Sequence, residues 1–177
     1  MRIVPDTTIT CWIRVLSLPN FQNILSRVST AFGKEFVIAV HESGQFNLRV
    51  STDAVDWNPV DGVFFGGAIA LNRWYFLTIV RQGFLISGSR DLGEAAVIDL
   101  VDQNIVQLHP SVQFSTGLTG DGTWPGHFDL DDLKYWGRVL SLSELDELYQ
   151  QGPDQDFFAS SERRVRGYAR GHGRGIL

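Results

Sequence analysis

A chain of 177 residues, 44% of them hydrophobic and 12% aromatic, is long enough for one domain with a sizeable core, and this composition excludes general disorder. The single cysteine, Cys11, excludes an internal disulfide framework, and no apolar run reaches the roughly 18 residues that cross a bilayer. No charged-then-apolar leader follows Met1, so we expect no secretory signal peptide and no membrane partner.

The net charge of −5 is unevenly distributed along the chain. Residues 158–177 contain five arginines and one glutamate, a net charge of +4, which leaves −9 on residues 1–157. Because phosphate contacts need clustered Lys and Arg, the acidic body disfavours nucleic acid as a partner. The sequence therefore predicts a globular domain over 1–157 and an Arg/Gly-rich C-terminal arm over 158–177.

Short segments rich in β-branched and aromatic residues follow one another, with turn signals about every 8–12 residues. They predict strands at 8–15, 23–29, 36–41, 45–50, 63–65, 69–71, 72–80, 84–87, 96–100 and 112–115. Ser43-Gly44 forms the turn of a hairpin between 36–41 and 45–50. The run 72–80 is nearly continuously apolar, which predicts a central strand covered on both faces.

The sequence pattern from Gly126 to Gly152 changes from that of a strand to that of a helix. Its first part predicts a strand whose apolar alternation moves one step out of phase between Leu130 and Leu133. Ser141 then precedes Glu144 by three residues, which is the spacing of a capping box, and predicts a short helix over 141–151. Because this is the only predicted helix, the chain is expected to be an all-β sandwich.

Three segments carry a family resemblance: 8–15 with its Trp12, LNRWYFLTIVR at 71–81, and DDLKYWGRVLSLSELDELY at 131–149. Together they span about residues 6–152, and they resemble the laminin-G-like, concanavalin-A-like family of jelly-roll lectin domains. The resemblance implies a two-sheet antiparallel jelly-roll sandwich with adjacent first and last strands and a short helix capping one end. Tyr75 stands where the family frequently has His, and family ligand residues lie on variable loops, so none is transferred.

An acidic cluster of Asp129, Asp131 and Asp132 lies in the closing strand. Hard cations prefer several oxygen ligands, and some relatives bind a structural calcium nearby, so calcium is the one cofactor to consider. The alternative is a turn and cap cluster that accepts backbone N–H bonds and pairs with Lys134 or Arg138. No spaced Asp/Asn calcium loop accompanies the cluster, and we favour the structural interpretation.

Catalysis is not expected from these residues. The β-glucanases of the same fold present a Glu-x-Asp-x-x-Glu strand that supplies two carboxylates around the scissile bond. The nearest segment, 129–132, contains no Glu, and the four histidines are scattered without triad or metal spacing. We therefore predict that the protein is not an enzyme, with a glycosidase as a distant alternative.

Sugar binding usually places an aromatic ring against the apolar face of a pyranose, with polar groups around it. Trp57 with Asn58 and Asp61, and Trp124 in the loop TGDGTWPG, are the loop residues of this kind. For Trp124 a packed loop anchor is an equal alternative. The tryptophans at 12, 74 and 136 lie within predicted strands and are expected in the core.

The arm SSERRVRGYARGHGRGIL contains side chains suited to anchoring on a partner. These residues are Arg163, Arg164, Arg166, Tyr168, Arg170, Arg174, Ile176 and Leu177. A flexible solubilising end is one interpretation, and docking on nucleic acid by charge and stacking is another. We favour a third, in which the arm is held against a neighbouring subunit and Ile176-Leu177 enter a pocket.

Two functions compete at this point. The first is a non-catalytic structural or adhesion subunit on a larger assembly, present as a homo-oligomer or in many copies and anchored by its arm. A virus or phage surface protein, such as a head decoration, fibre or tail component, fits this description and predicts a virion surface location. The second is a free, extracellular carbohydrate-binding lectin-like module whose partner is a cell-surface glycan.

Overall fold

The computed structural model describes residues 5–101, 104–105, 115–117 and 125–153. Within them the elements are β1 (Thr7–Val15), β2 (Gln22–Ser29), β3 (Gly33–His41), β4 (Gln45–Val50), β5 (Asn58–Phe65), β6 (Trp74–Gln82), β7 (Leu85–Arg90), β8 (Ala96–Asp99), β9 (Ser115–Thr116), β10 (Phe128–Trp136) and α1 (Leu142–Gln151). Among the described residues, no helix is long and apolar enough to span a membrane.

The described strands form two antiparallel sheets of five. The first has the order β10-β1-β6-β7-β8 and the second the order β5-β4-β3-β2-β9. The prediction of an all-β jelly-roll sandwich is confirmed, and β6 is the central strand of its sheet. The first and last strands are neighbours, as the resemblance implies, with Ile13 opposite Leu130.

The core fills the space between the two sheets. Alternate residues of the strands face it, among them Ile9 and Ile13 from the first sheet and Phe36 and Leu48 from the second, all essentially without solvent exposure. Cys11 lies in this core, as expected for a mid-strand cysteine. Burial, followed by the nearby charge of Asp132, raises the pKa of its thiol to about 12, which keeps it protonated.

A bulge in β10 explains the phase change of its apolar residues. Trp12 pairs with Asp131 and Thr10 with Lys134, so β10 carries one residue more than β1 between these pairs. Asp132 takes a left-handed backbone conformation with φ of 48° at this point. Both Leu130 and Leu133 consequently pack against the core although they are three residues apart.

Two strand predictions differ from the structure, and one lies largely outside it. β5 begins at Asn58, five residues before the predicted start at 63, and residues 69–71 form a loop. That loop is held by other means: Ile69 N–H donates to Gly44 O at 2.8 Å, and Ala70 N–H donates to the Tyr75 hydroxyl at 2.7 Å. The predicted strand at 112–115 falls mostly outside the described residues.

The helix α1 covers the outer face of the first sheet. Ser141 Oγ accepts from Glu144 N–H at 3.3 Å, and Ser141 N–H donates to a Glu144 carboxylate oxygen at 2.8 Å, which confirms the capping box. Tyr149 stacks on Trp12 at 5.6 Å between ring centroids. Because Trp12 alternates with the core residue Cys11, it points outward, so α1 packs on a sheet face rather than capping one end.

Of the three tryptophans expected in the core, only Trp12 is buried. Trp74 and Trp136 are half-buried. The strand of Trp74 alternates around the core residue Tyr75, which directs Trp74 outward, where the Arg14 guanidinium lies 5.1 Å from its ring. A strand position therefore did not guarantee a core position, because each strand also has an outer face.

Candidate functional site

The outer face of the second sheet carries a contiguous group of aromatic and polar side chains. Strand alternation directs His41 of β3, Asn47 and Arg49 of β4 and Phe64 of β5 away from the core, and Phe21 precedes β2 on the same side. We call these five side chains the outer-face patch. Their neighbours in sequence, such as Val40, Leu48 and Phe65, face the core.

The rings of the patch touch one another in a row. The Arg49 guanidinium lies 4.8 Å above the Phe21 ring, and Phe21 meets His41 edge-on at 5.7 Å between centroids. His41 in turn meets Phe64 edge-on at 5.0 Å. Phe64 is 37% exposed although its ring is held against His41, so part of the ring is accessible to a ligand.

Asn47 orients Arg49 from beneath. Its side chain is fully buried; its Nδ2 donates to the main-chain oxygens of Asp61 at 3.0 Å and Val63 at 3.3 Å. Its Oδ1 accepts from Arg49 Nε at 2.8 Å. Burial lowers the pKa of the Arg49 guanidinium, and the charge of Asp61 partly offsets that effect. The remaining guanidinium N–H groups are therefore presented in a defined direction beside a carboxylate.

A wide bulge in β5 places Asp61 next to Arg49. Leu48 pairs with Val63 and Val50 with Asn58, so residues 59–62 lie opposite Arg49 alone. The bulge contains the cis Asn58–Pro59 bond and Gly62, whose φ is 71°. A Cβ on Gly62 would lie 2.5 Å from Leu48 O and 2.6 Å from Arg49 Cγ, so only glycine fits there.

The predicted ligand residues divide into three groups. Asn58 and Asp61 are exposed at the bulge, and Trp57 lies on the same outer face. The Trp57 ring is only 9% exposed, because it packs with Phe21 on Val28 and Val37, and Lys34 Nζ lies 5.5 Å from its centroid. Trp57 therefore packs beneath the outer-face patch, whereas Phe64 has the more exposed ring. Trp124 lies outside the described residues.

The sequence interpretation missed the five residues of the outer-face patch. The signal for His41, Asn47 and Arg49 was present, since each alternates with core residues in a predicted hairpin. What was missing was a reason to look at the polar side of that hairpin. Phe64 was hidden in the apolar triplet 63–65, in which alternation cannot tell the inner ring from the outer one.

The three aspartates of β10 are held by protein partners. Asp129 accepts from Arg14, with Nε at 2.9 Å and Nη2 on the same oxygen, rather than from Arg138. Asp132 pairs with Lys134 at 2.7 Å, and Asp131 Oδ1 accepts the N–H of Asp132 at 2.8 Å. Within the described segments no group of three or more His, Cys, Asp or Glu could hold a metal ion. The structural interpretation, with calcium as its alternative, stays a prediction.

The eight predicted anchoring residues, from Arg163 to Leu177, also lie outside the described residues. The contact of the arm with a neighbouring subunit therefore stays a prediction. The same holds for the boundary between domain and arm at residue 157.

Solved structures similar to this chain share its jelly roll. The receptor-binding domain of botulinum neurotoxin mosaic serotype C/D has a TM-score of 0.62 at 14% identity, covering 84% of this chain and 37% of that one. Trypanosoma rangeli sialidase in complex with the inhibitor DANA has a TM-score of 0.61 at 16% identity, covering 82% and 22%. A Bacteroides ovatus protein named for carbohydrate binding has a TM-score of 0.57 at 15% identity, covering 80% and 40%.

The chain thus spans less than half the length of each of these structures, and at such identities the likeness shows the fold. No curated protein matches the sequence. A laminin-G family model, described as the concanavalin A-like lectin/glucanases superfamily, matches residues 4–146, most of the jelly roll. The chain belongs to this family, as its strands and closing helix indicated.

Proposed function

We propose that this protein is a non-catalytic, lectin-like module that binds glycan through the outer-face patch. The observation that carries the proposal is the row from Arg49 through Phe21 and His41 to the exposed Phe64. An aromatic ring can cover the apolar face of a sugar while guanidinium and carboxylate groups bind its hydroxyls. Arg49 and Asp61 supply those two groups beside the rings.

The carboxylate inventory of the patch supports binding without hydrolysis at the patch itself. Glycoside hydrolysis needs two carboxyl groups on either side of the scissile bond. Among the described side chains of this patch and its bulge, Asp61 is the single carboxylate, and it faces Arg49. The names of two structural neighbours, a receptor-binding domain and a carbohydrate-binding protein, agree with a binding role, whereas the sialidase is the neighbour with a catalytic name.

A glycan array probed with wild type and two patch variants tests the proposal. Arg49→Ala and Phe64→Ala should each weaken binding about tenfold or more, because they remove the guanidinium and the exposed ring that contact the sugar in this proposal. Val97→Ala is the matched control, since Val97 is a 52% exposed apolar residue on the other sheet. Retention of full binding by both patch variants, or an array without any bound sugar, contradicts the proposal.

A second candidate is the adhesion subunit of a larger assembly, with a virus or phage surface as the location. It is supported by the charge contrast between the +4 arm and the −9 body, which favours contact between the arm and an acidic neighbour. Deletion of residues 158–177 should abolish incorporation into the particle while the domain stays folded. Unchanged incorporation would contradict anchoring by the arm and leave the glycan proposal intact.

A further inference from the structure

A pocket of about 550 Å³ opens beside the outer-face patch, at the edge of the sandwich where β5 of the second sheet approaches β8 of the first. Phe64, Gly66, Arg90, Asp91, Glu94 and Ala95 are among its lining residues. Its volume lies within the range of small-molecule sites, which is roughly 300–1,000 Å³.

Two glycines allow close packing around this pocket. Gly66 has a φ of 73°, and a Cβ on it would lie 2.5 Å from Arg90 Cβ, so the loop after β5 approaches Arg90 as only glycine allows. A Cβ on Gly88 of β7 would lie 2.9 Å from the Phe65 ring. Phe65 can therefore pack closely against Gly88 between the two sheets, and it is also a lining residue of the pocket.

Arg90 and Asp91 of the pocket are held in place before any ligand arrives. Arg90 Nη1 donates to Ala68 O at 2.9 Å, and its guanidinium lies 4.8 Å from the Tyr75 ring centre. Asp91 Oδ1 accepts the N–H of Phe76 at 2.9 Å. Side chains held in this way lose little conformational freedom when a ligand binds, which favours affinity.

The charges of the pocket select a class of ligand. The lining contains one guanidinium, that of Arg90, and two carboxylates, those of Asp91 and Glu94. Asp91 lies 3.8 Å from Arg90 and 3.7 Å from Arg73, so its charge is balanced. Donors and acceptors stand side by side, which suits sugar hydroxyls, whereas the second carboxylate at Glu94 disfavours an anionic sugar.

Phe64 joins the pocket to the outer-face patch. Its ring contacts His41 edge-on, and Phe64 is also one of the lining residues of the pocket, so one ligand can extend over edge strand β5 without leaving protein surface. We infer that the pocket is the second subsite of one extended site, and that the site takes a neutral oligosaccharide rather than a single or acidic sugar. This inference rests on the proposed function of the patch.

The test uses an array of neutral hexose oligosaccharides of one to six units, with sialylated counterparts, followed by titration of the bound series. Wild type should bind the longer neutral sugars about tenfold more tightly than the shortest that binds, since the second subsite adds hydrogen bonds to charged groups. Ala95→Trp, at an exposed lining position, should fill the pocket and remove that gain while short sugars still bind. Val97→Trp is the matched control, because Val97 is also exposed and lies two residues after Ala95. It should keep the gain in affinity with sugar length.

The outcomes separate the two proposals. If Ala95→Trp keeps the full gain with length while Phe64→Ala loses binding, the second subsite is wrong and the patch stands. A sialylated sugar bound more tightly than its neutral counterpart overturns the neutral class. If wild type binds no sugar at all, the proposed function fails, and the inference fails with it.

Discussion

The two sheets of this sandwich both place aromatic rings on their outer faces, yet the rings have different surroundings. On the first sheet, Trp12 stacks on Tyr149 of the protein's own helix and is 6% exposed. On the second sheet, Phe64 ends a row of rings and keeps 37% of its surface exposed. An outer-face ring therefore contributes to stability where α1 covers it, as at Trp12, whereas Phe64 keeps exposed surface for the ligand that we propose.

Polar contacts reinforce this difference. On the first sheet, the Thr8 hydroxyl donates to Arg138 O at 2.9 Å and accepts from Leu140 N–H at 3.0 Å, which fastens the segment leading into α1. On the second sheet, the Asn47 amide oxygen accepts from Arg49 Nε and holds this charged side chain over the Phe21 ring. The Thr8 hydrogen bonds thus help α1 to cover the outer face of the first sheet, whereas the Asn47 hydrogen bond positions a guanidinium donor on the outer face of the second sheet.

Removal of Trp12 should have the largest effect on stability. Trp12→Ala should lower the free energy of unfolding by about 3–5 kcal/mol, because a buried ring and its stacking partner on α1 are lost. Urea unfolding followed by circular dichroism measures this, and Leu142→Ala, at an 83% exposed helix position, should change it by less than about 0.5 kcal/mol. Loss of glycan binding by the folded Trp12→Ala protein would show that the two faces are coupled.

Substitution of Gly62 should disturb the outer-face patch, and it should lower stability less than Trp12→Ala does. Gly62→Ala should lower the free energy of unfolding by about 1–3 kcal/mol through backbone strain. It should also weaken glycan binding, because the new Cβ meets Arg49 Cγ. Gly83→Ala is the control: Gly83 also has a positive φ, 59°, but a Cβ there meets no atom within 4 Å. Equal loss of binding in both variants would contradict a local effect on Arg49.

Loss of the α1 N-cap should lower the stability of the protein moderately and should leave the outer face of the second sheet unchanged. Ser141→Ala removes the acceptor for Glu144 N–H and should lower the free energy of unfolding by about 1 kcal/mol. Thermal unfolding measures the change, and Leu142→Ala, at an 83% exposed position of the same helix, is the control that should leave the cap bond in place. A change in glycan affinity with Ser141→Ala would be unexpected for a face on the far side of the sandwich.

The smallest effect should be a pH dependence of the same cap. The Arg138 hydrogen bond, followed by the Ser141 N–H, lowers the pKa of Glu144 from its ordinary 4.5 to about 2. Because the folded-state pKa lies below the unfolded value, the stabilisation is complete above pH 4.5 and is lost as the pH falls toward 2. Unfolding midpoints across this range should fall less steeply for Glu144→Gln than for wild type, and identical slopes would contradict this role of Glu144.

Local features of the chain were predictable from its sequence because their physical causes lie within a few residues. The capping box needs only Ser141 and Glu144, and the hairpin of β3 and β4 needs only its turn and its alternation. The phase change in β10 was visible in the sequence, although its cause, the bulge at Asp132, appears only opposite β1. The jelly roll itself followed from a family resemblance.

The arrangement of the candidate site depends on residues that are distant in sequence, and there the predictions were incomplete. Trp57 is buried because Val28 and Val37 of two other strands lie beneath it, and no pattern around residue 57 encodes that contact. Asp61 reaches Arg49 only because four residues of β5 bulge opposite one residue of β4.

The sequence alone thus determined most of the strands, the capped helix and the class of fold, since backbone preference, alternation and capping act over short distances along the chain. Only the tertiary structure decided which outer face is covered, how Arg49, His41 and Phe64 come together, and where the pocket opens. Each of these depends on how two sheet edges meet and on where α1 packs. Such contacts join residues far apart in the chain, so no local pattern specifies them.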